Sequence, residues 1–381
     1  MANGSVYLDY NAGGPARPEV AQAVAEVLAQ PGNPSAVHAA GRLARRRIEA
    51  ARAAVAGLVG AEPRGVVFTS GGTEANALAL AGCGRSRLLV SAVEHASVRK
   101  AAPGGSAIPV DGDGIVDVAA LDAMLAADAA PALVAVMLAN NETGVIQPVG
   151  EIARVAHRHG ALVLCDAAQA AGRMAVSMAE LGVDFLTLSA HKLGGPAGIG
   201  ALALADADFA LAPMLLGGGQ ERGRRAGTEN LAGIVGFGIG AAMAADRLQR
   251  DASMLELFEM QRRLEREALA RVPAARVIGA AAPRLANTSC LALPGVAAAT
   301  QVMALDLAGV MVSAGAACSS GRVERSAVLA AMGLPPAVAD SAIRVSFGWG
   351  SRAEDVDRFL DAWTALAAVK GFDVEAAAEA A

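Results

Sequence analysis

The sequence predicts a doubly wound α/β domain followed by a smaller α+β domain, on three observations. Apolar segments of strand length alternate with Ala-rich segments of helical period. The strand-length runs are apolar on both faces, as in a parallel sheet covered by helices on each side. From Asp246 a long charged stretch breaks this alternation, and the segments beyond it are shorter.

Taken in order, strands are expected at 66–69, 88–91, 133–138, 162–166, 185–189 and 201–204. Helices between them are expected at 75–81, 118–127 and 149–159, which completes a βαβ pattern. One helix over 246–271 reads as the connector. Strands at 288–293, 310–313 and 342–347 belong to the smaller domain, and the tail after Gly371 reads as frayed or weakly helical.

Composition excludes several classes. The 381 residues are 54% hydrophobic and 18% charged, which is enough apolar material for a sizeable core. Aromatics are only 3%, so that core must be aliphatic. A net charge of −5 carries no footprint for nucleic acid or an anionic membrane. The one basic cluster (Arg42, Arg45, Arg46, Arg47, Arg52) reads as a solvated helical face. The stretch 231–245 is apolar but too short and Gly-rich for a membrane span. Four cysteines with no CxxC pair argue against a disulfide framework or a zinc knuckle, and a cytoplasmic protein is expected.

Ligands of such sheets bind beyond the carboxyl ends of the strands. After the first strand, Ser70-Gly71-Gly72-Thr73-Glu74 leads into a helix. That is either an anion cup for a phosphate or a plain strand-to-helix turn. It is not a P-loop, because none of the three lysines (Lys100, Lys192, Lys370) follows a glycine. Asp166 stands at the mouth of a buried strand, where a carboxylate is costly unless a cation meets it. Ser189-Ala190-His191-Lys192 follows the next strand, ahead of a glycine turn. A phosphate cup, a carboxylate and an amine at one sheet rim match the needs of pyridoxal 5′-phosphate.

Ten blocks then occur in order: YLDYNAGGP (7–15), NPSAVHAAGR (33–42), FTSGGTEAN (68–76), EHASV (94–98), NNETGVIQPV (140–149), DAAQAAG (166–172), SAHKLGGPAGIG (189–200), GGGQERGRRAGTEN (217–230), SAGAACSSG (313–321) and IRVSFGW (343–349). Through them the chain resembles the class I cysteine desulfurases of NifS/IscS type, from about Tyr7 to about Trp349. The resemblance implies an aminotransferase-like fold of type I. Its large domain (13–255) would hold a seven-stranded, mainly parallel sheet. The small α+β domain (1–12 and 256–381) would carry a cysteine loop.

By the same resemblance Lys192 corresponds to the Schiff-base lysine and Asp166 to the pyridinium partner. Gln169 corresponds to the donor to the cofactor phenolate, and His95 to the imidazole stacked on the pyridine. Gly72, Thr73, Ser189 and His191 correspond to the phosphate contacts, with Thr228 reaching across from the second subunit of a homodimer. Asn141, at the cofactor's edge, and Arg344 correspond to the holders of the substrate carboxylate, for which an Arg fork is chemically suited. No metal ligand set is implied.

Among the cysteines, Cys165 and Cys290 read as small buried apolar residues, while Cys83 lies in a Gly-Cys-Gly turn where exposure is allowed. Cys318 lies in a run of small residues, 314–321. The resemblance makes it the nucleophile that takes sulfur from cysteine as a persulfide, leaving alanine. It would then pass sulfur to an acceptor or scaffold protein for iron–sulfur cluster or other sulfur-cofactor synthesis, with transient ligation of a cluster through Cys318. Gly13-Gly14 departs from the family's usual pair of threonines. His157 and His159 read as solvated residues near a helix C-terminus. The rival readings are a selenocysteine lyase, another C–S lyase on this cofactor, or an inert docking scaffold of the same fold.

Overall fold

The computed structural model describes residues 5–315 and 325–375, with the backbone alone at 251–253. The chain opens with the short strand β1 (Val6–Tyr7), then builds a seven-stranded sheet. Its strands are β2 (Val66–Thr69), β3 (Arg87–Ser91), β4 (Ser106–Ile108), β5 (Ala132–Met137), β6 (Leu162–Asp166), β7 (Phe185–Ser189) and β8 (Gly200–Leu204). They lie in the order β2-β8-β7-β6-β5-β3-β4. β8 is antiparallel to both neighbours and the remaining pairs are parallel. Two antiparallel pairings restore the direction of β2, so β2, β3, β5, β6 and β7 all end at one rim.

The doubly apolar strands have a direct explanation. Val134 and Val136 of β5 join a core with the helices Ala39–Val59 and Leu231–Gln249. Leu133 and Ala135, pointing the other way, join a second core with the helix Gly72–Gly82. Alternate side chains of one strand thus fill two separate layers.

The second sheet contains β9 (Arg276–Val277), β10 (Thr288–Ala292), β12 (Ser313–Ala314) and β13 (Ala342–Ser346), in the antiparallel order β12-β13-β10-β9. Beside it β1 pairs in parallel with β11 (Val310–Met311). A separate core underlies this part, with Leu8, Leu264, Phe347, Phe359 and Trp363 fully buried. The Trp363 indole Nε1–H is satisfied by Gln301 Oε1 at 2.8 Å.

Several expectations are corrected. The single helix expected over 246–271 is two, Leu231–Gln249 and Asp251–Arg271, separated at the non-helical Arg250. The first packs on the helices Pro18–Leu28 and Ala39–Val59, and the second on Ala353–Val369. One straight helix could not cover both faces. The Leu231–Gln249 helix is, by length and composition, long and apolar enough to cross a membrane. Half of its most apolar window is buried in the protein, and a Cβ at Gly238 would lie 2.5 Å from Ala51 Cα. Its glycines therefore serve close helix packing.

The strand expected at 310–313 splits at Val312 into β11 and β12, which pair with different partners. Arg52 is not on a solvated face. It is 4% exposed and forks onto Glu221 at 2.7 and 2.9 Å, while Arg42, Arg45 and Arg46 stay exposed. Cys83 is buried rather than exposed, because its turn packs against the second layer. His157 and His159 are exposed at a helix end, each beside a carboxylate, Asp184 and Asp122.

Candidate active site

Beyond the common rim lies a cavity of about 440 Å³. Gly72, Thr73, His95, Asn141, Asp166, Gln169, Ser189, His191, Lys192 and Arg344 all line it. These ten residues span 273 positions of sequence, and strand ends bring most of them together. Asp166 closes β6, Ser189 closes β7, and the glycine turn follows β2. Arg344 arrives from the second sheet, on β13.

The glycine turn opens the helix Gly72–Gly82, whose first-turn amides have no helical carbonyl to bond. Thr69 Oγ1 donates to Gly71 O at 2.9 Å and holds the turn. A Cβ at Gly200 would lie 2.5 Å from the Gly71 carbonyl carbon, so β8 can start here only as glycine. The helix N-terminus therefore presents free N–H groups and positive dipole to the cavity.

Asp166 is buried and accepts hydrogen bonds on both oxygens. Ala168 N donates to Oδ1 at 3.0 Å, and Asn76 Nδ2 donates to Oδ2 at 2.8 Å. Asn76 also donates to Ser97 Oγ at 3.0 Å and accepts from Thr187 Oγ1 at 2.7 Å. Ser97 N donates to His95 Nδ1 at 3.1 Å, so neutral His95 carries its proton on Nε2. Burial pulls the His95 pKa down, against Asp166 and with Lys192 and Arg99, which favours that neutral ring.

Lys192 faces this group. Its Nζ donates to the carbonyls of Asn11 and Ala12, the latter at 2.8 Å. Burial, and then the cations Arg173 and Arg344, push its pKa down to about 7. A half-neutral amine at physiological pH is a usable nucleophile and base. Burial and the charge of Lys192 likewise lower His191 to about 4. A Cβ at Gly13 would come within 3.0 Å of His191 Nδ1, so the departure to glycine leaves that ring uncrowded.

On the opposite wall, Arg344 Nη1 donates to Asn141 O at 2.9 Å and Nη2 to Asp9 Oδ1 at 2.6 Å. Among the described residues, Arg344 Nε and Asn141 Oδ1 are buried with no hydrogen-bond partner. Unsatisfied buried polar atoms are costly unless a ligand completes them. Glu142, behind this wall, accepts from Ser326 Oγ at 2.6 Å, and burial lifts its pKa to about 7.

One expected site residue stands apart and one is not described. Thr228 lines an adjoining cavity of about 230 Å³ that shares Ser70 and Gly198 with the first. Cys318 lies outside the described residues. The sequence reading also missed Asn11, Asn76, Ser97 and Arg173. Asn11, Asn76 and Ser97 fall inside the quoted blocks, yet nothing in a linear motif says which atom a polar side chain will reach.

The residues fit pyridoxal 5′-phosphate. Asp166 is a buried carboxylate with no ion-pair partner among the described residues, so a pyridinium N–H suits it. The free amides suit a phosphate, and Lys192 suits an aldehyde. The orphaned Arg344 Nε and Asn141 Oδ1 suit an amino-acid substrate.

Comparison with known proteins agrees with this geometry. Residues 6–359 match the family described as Aminotransferase class-V. The chain is 44% identical over 371 residues to a cysteine desulfurase of Cereibacter sphaeroides, covering 93% of this chain and 94% of that one. It is 37% identical to an IscS-like cysteine desulfurase of Mycobacterium tuberculosis, covering 93% and 94%. Among solved structures, a NifS-like protein from Rickettsia africae superposes with a TM-score of 0.86 at 33% identity, covering 95% of this chain and 99% of that one. Sequence blocks, sheet order and cavity agree: the chain belongs to the aminotransferase class-V family, in its cysteine desulfurase branch.

Proposed function

We propose that this protein is a pyridoxal 5′-phosphate-dependent cysteine desulfurase, converting L-cysteine to L-alanine and taking up the sulfur as a persulfide. The observation that carries this reading is the pairing inside one cavity of Asp166, with no ion-pair partner among the described residues, and Lys192, with a pKa of about 7. On the facing wall, among the described residues, Arg344 Nε is an orphaned donor suited to a carboxylate and Asn141 Oδ1 an orphaned acceptor suited to an N–H.

Pyridoxal 5′-phosphate, when bound, supplies an electron-withdrawing ring that stabilises negative charge at the Cα of an amino acid. Asp166 would hold the proton on the ring nitrogen, and the Asn76 bond keeps its carboxylate aimed. Gly72 and Thr73 amides, with Ser189 and His191, would receive the phosphate, and Gln169 would donate to the phenolate oxygen. Lys192 would anchor the group and, once displaced by substrate, take the Cα proton on its neutral amine. The neutral His95 ring would cover the pyridine face, with Nε2–H free to give a proton. Arg344 and Asn141 would take the substrate carboxylate. In the sulfur step the Cys318 thiolate attacks the substrate Sγ. The Cβ–Sγ bond breaks, a Cys318 Sγ–S bond forms, and Cβ is protonated to give alanine.

Thr228, displaced into the neighbouring cavity, would complete the phosphate site of a second subunit in a homodimer. Cys83, Cys165 and Cys290 are free and buried, which supports a reducing, cytoplasmic setting. An acceptor or scaffold protein for iron–sulfur cluster or other sulfur-cofactor synthesis would then discharge the persulfide.

The decisive experiment combines alanine quantitation with mass spectrometry of the Cys318 peptide after L-cysteine is added. One added sulfur atom on Cys318, with stoichiometric alanine, is expected. Alanine formation that persists in Cys318→Ser with sulfur on no protein thiol identifies another C–S lyase. Faster turnover of selenocysteine than cysteine identifies a selenocysteine lyase. A colourless protein inert to both substrates identifies a scaffold.

A further inference from the structure

Asn11 is 1% exposed and lies between β1 and the first helix, on a segment that touches both sheets. Its backbone carbonyl accepts from Lys192 Nζ, and also from Gln169 Nε2 at 3.0 Å. Its side-chain Oδ1 accepts from Arg173 Nη1 at 2.8 Å, and Arg173 in turn donates to Gln169 Oε1. These contacts belong to the floor of the cavity, built on the seven-stranded sheet.

Asn11 Oδ1 also accepts from Asn287 Nδ2 at 3.2 Å, beside β10 of the second sheet, and the remaining atoms turn to the other wall. Asn11 Nδ2 donates to Asn141 O at 3.2 Å and to Thr288 Oγ1 at 2.9 Å. Its backbone N donates to Ser346 Oγ at 3.0 Å, two residues from Arg344 on β13. The Asn141 carbonyl is shared, since it also accepts from Arg344 Nη1. One buried amide therefore bonds the element carrying the amine and the elements carrying the carboxylate holders.

An α-amino acid has its nitrogen and its carboxylate on the same carbon, so the distance between their two binding sites is fixed by the substrate. Asn141 follows β5 of the seven-stranded sheet whereas Arg344 stands on β13 of the second, so the carboxylate site spans two sheets and strand pairing within either one does not set that distance. A fully satisfied buried amide holds its neighbours rigidly, and small errors in such spacing are expensive in rate. We propose that Asn11 is a positioning residue that sets the spacing between the Lys192 amine and the Asn141–Arg344 carboxylate site. The proposal rests on the reading of these residues as the amino-acid site.

The test uses Asn11→Asp and Thr288→Val in the full chain, with two readouts. The first is KM against kcat for L-cysteine in the holoenzyme. The second is the pH midpoint of Lys192 acylation by acetic anhydride in protein stripped of cofactor, read by peptide mass spectrometry. Asn11→Asp keeps the acceptor for Arg173, turns the donor side into an acceptor facing Asn141 O, and adds negative charge near the amine. It is expected to raise KM about tenfold with a smaller loss in kcat, and to move the Lys192 midpoint upward. Thr288→Val removes a partner on the wall side only, and is expected to raise KM about threefold with the Lys192 midpoint unchanged.

A folded Asn11→Asp with KM within twofold of wild type overturns the proposal, as does one that only lowers the active fraction. Should Asn11→Asp fail to fold, Thr288→Val decides, and an unchanged KM there overturns the proposal. The Lys192 midpoint is read without cofactor or substrate. If the protein neither binds pyridoxal phosphate nor turns over cysteine, the proposed function fails. The hold of Asn11 on the amine is still measured, and an unmoved midpoint in Asn11→Asp then overturns the positioning role.

Discussion

The two sides of the cavity are built differently. On the floor, Asp166 has both oxygens bonded and Lys192 has two carbonyl partners. On the wall, Arg344 Nε and Asn141 Oδ1 are buried with no partner among the described residues. The floor holds its reactive side chains in place before any ligand arrives, and its open amides and unpaired carboxylate suit a resident cofactor. The wall carries unmet hydrogen-bonding capacity, and suits a molecule that comes and goes. Substrate binding then recovers part of the desolvation cost that folding left at Arg344.

Breaking the floor has the largest expected effect. Lys192→Ala removes the amine proposed as both anchor and base, and turnover of L-cysteine should fall about 10⁴-fold or more. Alanine production within tenfold of wild type would contradict the floor as drawn. Lys100 and Lys370, both exposed at helix ends, offer no substitute.

Breaking the wall costs less and appears in a different parameter. Arg344→Ala should raise KM for cysteine roughly 10- to 100-fold, the worth of one charged hydrogen-bonding contact, while the visible absorbance of bound cofactor persists. Loss of cofactor together with substrate affinity would erase the distinction between the two sides.

A subtler change sharpens the floor. After burial, the cation of Arg173 does most to hold the Lys192 pKa down. Arg173→Met removes that cation, and the acylation midpoint of Lys192 should climb from about 7 by roughly one pH unit. An unmoved midpoint would leave burial as the whole cause.

The smallest effect is expected behind the wall. Glu142 is lifted from 4.5 to about 7 by burial, so the folded protein binds its proton more tightly than the unfolded chain. Stability from this group is fully present below about 4.5 and declines as pH rises towards 7. Glu142→Gln, which keeps a neutral group beside Ser326, should lose this dependence. Between pH 5 and 8 the wild-type Tm should fall further than that of the variant, by roughly 1–3 °C. Parallel melting curves across that range would refute the linkage.

Much of the floor is legible in sequence because its residues sit at the ends of apolar runs. Asp166 and Lys192 each follow a strand of the parallel sheet, and such strands deliver their ends to one rim whatever the rest of the chain does. The glycine turn before the helix Gly72–Gly82 is likewise local. The helix break at Arg250 was not legible, because periodicity continues through it and only the two packing faces demand the turn. Arg52 was misread for a related reason: a guanidinium on an arginine-rich helix looks solvated until a distant Glu221 meets it.

The amino-acid sequence by itself determined the fold class, the rim and the chemistry available there, since strand alternation and strand-end residues act over a few positions. Tertiary structure alone decided which polar atoms are satisfied and which wait. Asn76 reaching Asp166, Arg173 reaching Gln169, and Asn11 joining floor to wall are contacts between residues brought together from separate elements. Hydrogen bonds extend over about 3 Å and need aligned donors, so only the packed arrangement of both sheets can choose them.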